Sequence, residues 1–290
     1  MPKKLDKIIL GTAQFGMKYG ITNKGKIKSS EIFRILNFLK RKKINFLDTA
    51  YAYKSSEREI GKYFVKKRGK FNIITKYSFK NNKTLSGQFQ KTFSSLGYLP
   101  HTIMAHSCKD YLNPLFHKQI KKIQDKHYIK NLGVSIYNVE ELNKILNYKK
   151  PDVVQIPVNI FDKRFFDKKV IKKLKKNSVK IIGRSVFLQG LLFKDKEYIF
   201  KNFRNIKKSY LKLLKIAKKE GVSLSQLSLI WTYNLKELDN IVLGVDSLDH
   251  LRENLNTLKK KISKKSLLQI QKINLNNHII LNPYLWKIKQ

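Results

Sequence analysis

Lys7-Ile8-Ile9-Leu10-Gly11-Thr12-Ala13-Gln14-Phe15-Gly16, near the start of the chain, decides which parallel fold this sequence encodes. Ile8, Ile9 and Leu10 make an apolar run too short for an amphipathic helix and closed by a glycine, the pattern of a strand buried on both faces. Working outward, similar runs occupy residues 44–48, 72–76, 102–106, 131–135, 153–157, 179–184 and 240–244, which with 7–11 gives eight. Between them lie stretches of helical periodicity at 31–39, 57–67, 85–96, 115–126, 139–146, 168–176 and 248–259. The clearest is 31–39, for which Ser29 or Ser30 is the expected cap. Strand and helix therefore alternate, which makes the strands parallel. An open doubly wound sheet also alternates, but a glycine-rich phosphate loop should then follow the first strand. Residues 11–16 lack that glycine spacing, and no G-x-x-x-x-G-K-[ST] occurs in the chain. The fold expected is α/β, a single (β/α)8 TIM barrel.

The 290 residues match the ~250 that one such barrel needs, and no Pro/Gly/Ser-rich linker divides them. One domain, residues 1–290, is the expectation. The longest gap, between the seventh and eighth strands, holds two helical patterns, 209–220 and 225–234, so the barrel carries an extra helical segment there. A C-terminal tail, 264–290, begins helically and breaks at Asn282-Pro283, which suits a segment folding back over the barrel.

An apolar content of 42% with 17 Phe and 14 Tyr fills a core of that size and excludes a disordered or fibrous chain. A single cysteine, Cys108, can form no internal disulfide and no cysteine-rich metal site. It reads as a small buried hydrophobe in a reducing compartment. No signal-type apolar segment and no run approaching ~20 apolar residues is present, so the location expected is cytoplasmic, without a membrane partner.

Sixty-two basic against 20 acidic residues leave a net charge of +42, a field that attracts nucleic acid on electrostatics alone. The bases are scattered in short clusters such as 40–43, 172–176 and 259–265, on expected outward helix faces. They mark no single stripe, so a compositionally biased surface is the preferred reading and no specific nucleic-acid partner is expected. The oligomeric state is not readable.

Active sites of (β/α)8 barrels lie at the C-terminal ends of the strands. Asp48, Lys76 and His106 end the second, third and fourth runs, and Tyr53 sits just after Asp48. Neighbouring strands lie ~4.8 Å apart, so these four can converge. Any one of them alone is more often a cap, a surface charge or a satisfied core group. Together they suit carbonyl reduction, which needs a hydride on carbon and a proton on oxygen. Tyr53 can give that proton, Lys76 can acidify its phenol, Asp48 can hold Lys76, and His106 can hydrogen-bond the substrate oxygen.

The chain resembles the aldo-keto reductase family from Ile9 to about Asn254, in Leu10-Gly11-Thr12-Ala13-Gln14-Phe15-Gly16, Asp48-Thr49-Ala50-Tyr51-Ala52-Tyr53, Ile74-Thr75-Lys76 and Ala105-His106-Ser107. The resemblance implies that Asp48, Tyr53, Lys76 and His106 are the catalytic tetrad and that a reduced nicotinamide delivers hydride to a small-molecule carbonyl substrate. It further implies that Ser135 and Gln155 bind the nicotinamide carboxamide. Arg184, with Ser185 beside it, stands where family members stack an aromatic ring on the nicotinamide, and Ile136 stands where an Asn is frequent, with Asn138 two places on. Gly244-Val245-Asp246-Ser247 and Leu251-Arg252-Glu253-Asn254 resemble the adenosine-phosphate end, with Glu253 and Asn254 near adenine. On residues alone, Glu253 and Asn254 read as ordinary polar groups of a surface helix. NADP(H) is expected ahead of NAD(H), although Gly244 and His250 stand where many NADPH-selective members carry Lys and Arg. The segment Gly183-Arg184-Ser185-Val186-Phe187-Leu188-Gln189-Gly190 resembles a bacterial branch associated with sugar or surface-polysaccharide pathways.

No metal site is expected, because His101, His117, His127, His250 and His278 are neither clustered nor at ligand spacing. His101 and His127 read as polar surface residues. Other readings stay open on sequence alone: a Schiff-base enzyme using Lys76, a basic nucleic-acid-binding barrel, and a regulatory barrel that binds nicotinamide without turnover.

Overall fold

Parallel pairing runs through β1 (Ile8–Gly11), β2 (Phe46–Asp48), β3 (Asn72–Tyr77), β4 (Thr102–Ala105), β5 (Asn131–Ser135), β6 (Val153–Pro157), β7 (Lys180–Arg184) and β8 (Asn240–Gly244), and β8 pairs back onto β1. The computed structural model describes residues 5–22, 25–67, 69–79, 84–275 and 277–286. The result is the closed (β/α)8 barrel expected, with helices packed around it. Among the described residues no helix is long and apolar enough to cross a membrane.

Alternation along each strand sorts the apolar residues into two sets. Ile9, Ile74, Met104, Val153 and Ile182, with Phe46 and Val242 against them, form a small cluster inside the barrel. Their sequence neighbours, such as Ile8, Leu10, Leu47, Ile73 and Ile181, join the much larger layer between sheet and helices. Both faces are thus buried, which is why the runs read as continuously apolar.

Element ends differ from the sequence reading by one or two residues. β2 begins at Phe46 rather than at residue 44, and β4 ends at Ala105, one short of His106. The His106 amide nevertheless donates to the Tyr77 carbonyl at 2.8 Å and so prolongs the ladder. The helix Ser29–Arg41 starts with Lys28 at its N-cap and no side-chain cap, which corrects the expectation for Ser29 or Ser30. Ser29 instead donates from its hydroxyl to Glu59 at 2.6 Å. His101 and His127 are corrected too: both are half-buried, with rings 5.2 Å from Phe46 and Phe89 respectively.

The extra segment between β7 and β8 is present and larger than read. It contains a helical turn, Leu188–Phe193, and helices Lys196–Asn202, Lys207–Lys219 and Leu224–Asn234. A capping box, in which Ser223 and Gln226 satisfy each other's backbone amides, fixes the start of the last helix. The tail forms helices Lys264–Gln271 and His278–Leu281 before the Asn282-Pro283 break. Arg164 ties it down, donating to the Leu281 carbonyl at 3.0 Å and the Asn282 side chain at 3.3 Å while paired with buried Asp162.

Glu59 clamps the first two outer helices. Its buried carboxylate accepts from Ser29 at 2.6 Å, Lys26 at 3.0 Å and Lys62 at 3.2 Å. Burial disfavours its charge, yet these donors outweigh burial and hold the carboxyl at about 2, below the ordinary 4.5. The stabilisation is therefore complete above pH 4.5 and is lost as pH falls toward 2. Glu59→Gln is expected to lower unfolding free energy by about 1.5–3 kcal/mol at pH 7. Urea titrations of the two proteins check this, with the difference shrinking as pH drops through that window.

Candidate active site

Two residues beyond the inner apolar ring, the same alternation brings the next inward layer to the C-terminal mouth. Counting on from Ile9, Phe46, Ile74, Met104, Gly133, Val153, Ile182 and Val242 gives Gly11, Asp48, Lys76, His106, Ser135, Gln155, Arg184 and Gly244. Six of the ten residues singled out from sequence fall in this one layer.

At its centre Lys76 is buried, and its ammonium donates to both Asp48 oxygens at 2.7 Å and to the Thr49 carbonyl at 3.0 Å. All three of its protons are used. Gln155 reaches the same carboxylate, its amide nitrogen 2.8 Å from Asp48 Oδ1. That leaves the Gln155 carbonyl oxygen to accept another bond, beside Ser135, its register partner on β5. Both side chains are buried. A hydroxyl and an amide oxygen side by side fit a planar carboxamide such as that of nicotinamide.

Tyr53 lies in the turn after β2. Its amide donates to the Ala50 carbonyl at 2.9 Å and its carbonyl accepts from Ser56 at 3.0 Å. Gly16 makes room for this turn, since a Cβ there would fall 1.8 Å from the Tyr53 carbonyl oxygen. The Lys76 ammonium sits 5.7 Å from the Tyr53 ring centre, and the His106 ring stands edge-on at 6.2 Å. The four residues are therefore together.

Their electrostatics differ from the sequence expectation in one respect. Burial first, and then the Asp48 charge, raise the Tyr53 phenol above its ordinary 10.0, and the charge that lowers it is Arg184's. Lys76 was expected to acidify Tyr53, but its charge is matched by Asp48 at contact distance. Lys76 acts here as a buried anchor.

A cleft opens over this layer, walled by Asp48, Tyr53, Gln155, Arg184 and Ser185 among others. Tyr19, Gln14 and Gln189 also line it, and the sequence reading missed all three. Tyr19 stands 6.4 Å ring to ring from Tyr53, and its hydroxyl accepts from Gln189 at 3.3 Å. These residues come from loops after β1 and β7, so no strand end marked them. The loops are stitched together by the Ile21 amide on the Gln189 carbonyl at 2.9 Å. Gly20 and Gly190, both at positive φ, allow the close approach.

Arg184 is held over the Tyr137 ring at 4.3 Å and donates to the Ile136 carbonyl and the Ser185 hydroxyl, each at 3.2 Å. Tyr137 in turn packs against Tyr284 of the tail, 5.1 Å away. Glu253 and Asn254 lie on the helix Leu248–Thr257, exposed and half-buried respectively, and are not part of the cleft wall. The structure does not bring them to the tetrad. Cys108 is buried and its thiol is pushed up to about 11 by burial, which makes it unreactive near neutral pH.

A buried acid–base constellation with a cleft tyrosine, at the C-terminal mouth of a (β/α)8 barrel, defines a barrel enzyme. Residues 7–275 match the model of the aldo/keto reductase family, and the chain belongs to that family of oxidoreductases. Its fold is similar to a thermostable aldo-keto reductase, Tm1743, solved with the inhibitor epalrestat, at 18% identity and TM-score 0.69, covering 92% of this chain and 94% of that one. It is also similar to the glycerol dehydrogenase AKR11B4 from Gluconobacter oxydans, at 19% identity and TM-score 0.70, covering 92% and 90%. No curated protein matches the sequence.

Removing one partner of the Lys76–Asp48 pair leaves an uncompensated buried charge. Lys76→Met or Asp48→Asn is expected to cost about 3–5 kcal/mol of stability. The double variant should recover a large part of that loss in a double-mutant cycle measured by denaturant unfolding.

Proposed function

We propose that this protein is an NAD(P)H-dependent carbonyl reductase that converts an aldehyde or ketone to an alcohol, with Tyr53 as general acid. The observation that carries the reading is the Tyr53 phenol in the cleft wall beside His106, over an Asp48–Lys76–Gln155 cluster whose mutual bonds fix the mouth of the barrel. A bound nicotinamide supplies the hydride. Ser135 and Gln155 would hold its carboxamide, and Arg184 and Ser185 would border it at the end of β7. Tyr53 donates the proton to the carbonyl oxygen, and His106 orients that oxygen by a hydrogen bond. Glu253 and Asn254, further along the chain from Gly244, would contact the adenine.

NADP(H) is proposed ahead of NAD(H), on the family resemblance. A contrary feature is Glu31, whose carboxylate accepts the Leu248 amide at 2.6 Å and so takes the N-terminus of the helix that carries Glu253 and Asn254. Fluorescence titration with NADPH and NADH at physiological salt is expected to show saturable binding, tighter for NADPH. Saturation by neither would end the reductase reading. The substrate is proposed to be small and sugar-derived, and the buried single cysteine suits a cytoplasmic setting.

Tyr53→Phe is expected to lose ~10²- to 10⁴-fold in carbonyl reduction with cofactor affinity nearly unchanged. Retention of more than about half of the wild-type rate, where chemistry limits turnover, removes Tyr53 as the acid. Because its phenol is raised above 10.0, the acid form persists across neutral pH. The alkaline limb of the reduction profile assigned to Tyr53 should therefore lie above pH 10, as initial rates across a buffer series would show.

A further inference from the structure

We propose that Arg184 is a carboxylate-binding residue of the cleft and that the natural substrate is a carbonyl compound bearing a carboxylate group. The inference rests on the carbonyl reductase reading for its reaction and on the cleft alone for its anion site.

A guanidinium carries five N–H donors. Those of Arg184 meet two acceptors, the Ile136 carbonyl and the Ser185 hydroxyl, and its Nε is buried without a hydrogen-bond partner. Three donors therefore remain. No carboxylate lies within ion-pair distance of it among the described residues. Two nearby acids are bonded elsewhere: Asp48 to Lys76 and Gln155, and Asp162, whose charge Arg184 also feels, to Arg164 through two bonds of 2.8 and 2.9 Å, while Asp246 lines the same cleft outside ion-pair distance of Arg184.

Its position is fixed rather than loose. Tyr137 covers one face at 4.3 Å, and Tyr284 backs Tyr137 from the tail. A planar fork held in this way pays little further entropy to bind an anion of matching geometry, which a carboxylate provides in bidentate form. Arg184 also lines the same cleft as Tyr53 and acts electrostatically on both Tyr53 and Tyr19. A substrate anchored on it therefore lies beside the proposed acid.

The experiment compares wild type with Arg184→Met, which keeps the apolar stem over Tyr137, and Arg184→Lys, which keeps the charge and loses the fork. Glyoxylate, succinic semialdehyde and glucuronate are each paired with an uncharged counterpart, namely glycolaldehyde, butanal and glucose, and kcat/KM is measured for all in moderate salt that screens the general surface field. At least one charged member is expected to outrun its counterpart in wild type, mainly through KM. Arg184→Met should cut that ratio by about thirtyfold or more, as for truncating one partner of a hydrogen-bonded charge pair, and Arg184→Lys should fall between. Because Arg184 also borders the proposed nicotinamide position, cofactor Kd is titrated by fluorescence for each variant and kcat/KM is taken at saturating cofactor, so that the charged-to-uncharged ratio reports the anion site alone. An unchanged ratio, or a rise in cofactor Kd with the ratio intact, overturns the proposal and assigns the guanidinium to the dinucleotide. Succinate, which cannot be reduced, gives a reading independent of turnover. It should raise the melting temperature of wild type and not of Arg184→Met, and equal effects on both would also overturn the proposal. Succinate stabilisation that needs Arg184, with no carbonyl reduced, keeps the anion site and removes the reductase reading instead.

Discussion

A buried ammonium needs three acceptors, and the mouth of this barrel is organised around supplying them to Lys76. Two come from Asp48 on the neighbouring strand and one from the Thr49 carbonyl that follows it. This works only in the observed register, with Asp48 opposite Ile74, because a slip of one residue would turn Asp48 or Lys76 toward the helices. Gln155 reaches Asp48 from β6, so the same carboxylate ties strands far apart in sequence. A buried pair of this kind is weak evidence for stability, since apolar replacements often do as well. Its value lies in placing a fixed wall beneath the cleft, against which Tyr53 and His106 keep their positions.

The cleft's roof has a different origin. Ser185, Leu188 and Gln189 all adopt positive φ, a conformation costly for residues with a Cβ. Such strain persists only where packing enforces it. Leu188 is buried, and the Val186 carbonyl accepts from Ser228 at 2.7 Å, on the helix Leu224–Asn234 of the extra segment. The insertion between β7 and β8 thus supports the loop that carries Arg184, Ser185 and Gln189 into the site. The tail acts similarly from the other side, through Arg164 and the Tyr284–Tyr137 contact.

The barrel was legible because its strands are buried on both faces and its helices on one, and these are differences of period that survive in a single sequence. The grouping of the candidate residues was legible for a related reason: Asp48, Lys76 and His106 are polar interruptions at the ends of apolar runs, and alternation then aims them inward. Tyr19, Gln14 and Gln189 carried no such mark, because loop residues acquire neighbours only through long-range contacts such as that of Ile21 with Gln189. The helix Lys196–Asn202 escaped for want of a clear apolar stripe, with Ile199 its one buried side chain. The acidifying role expected of Lys76 took no account of pair geometry, which decides which charge is neutralised. Proximity alone pointed to Lys76, whereas contact with Asp48 leaves Arg184 as the cation that lowers the Tyr53 phenol.

That same pairing logic explains how a chain of net charge +42 forms an ordinary core. Among the described residues the buried charged side chains are Asp48, Glu57, Glu59, Asp110 and Asp162 against Lys76 alone. Acids are kept inside where they accept bonds from hydroxyls, amides and cations, as Glu57 does from Thr75 and Thr92. Basic side chains, with long flexible stems, can keep their heads in water instead. The excess of lysine thus costs little inside and collects at the surface, where it raises the local concentration of anions and is screened by salt. An anionic ligand would be drawn toward the molecule by that diffuse field, but the field has no preferred point. Selection within the cleft requires a cation whose geometry is fixed and whose donors are unspent, and of the charged residues of the inward layer, Asp48 and Lys76 satisfy each other while Arg184 remains.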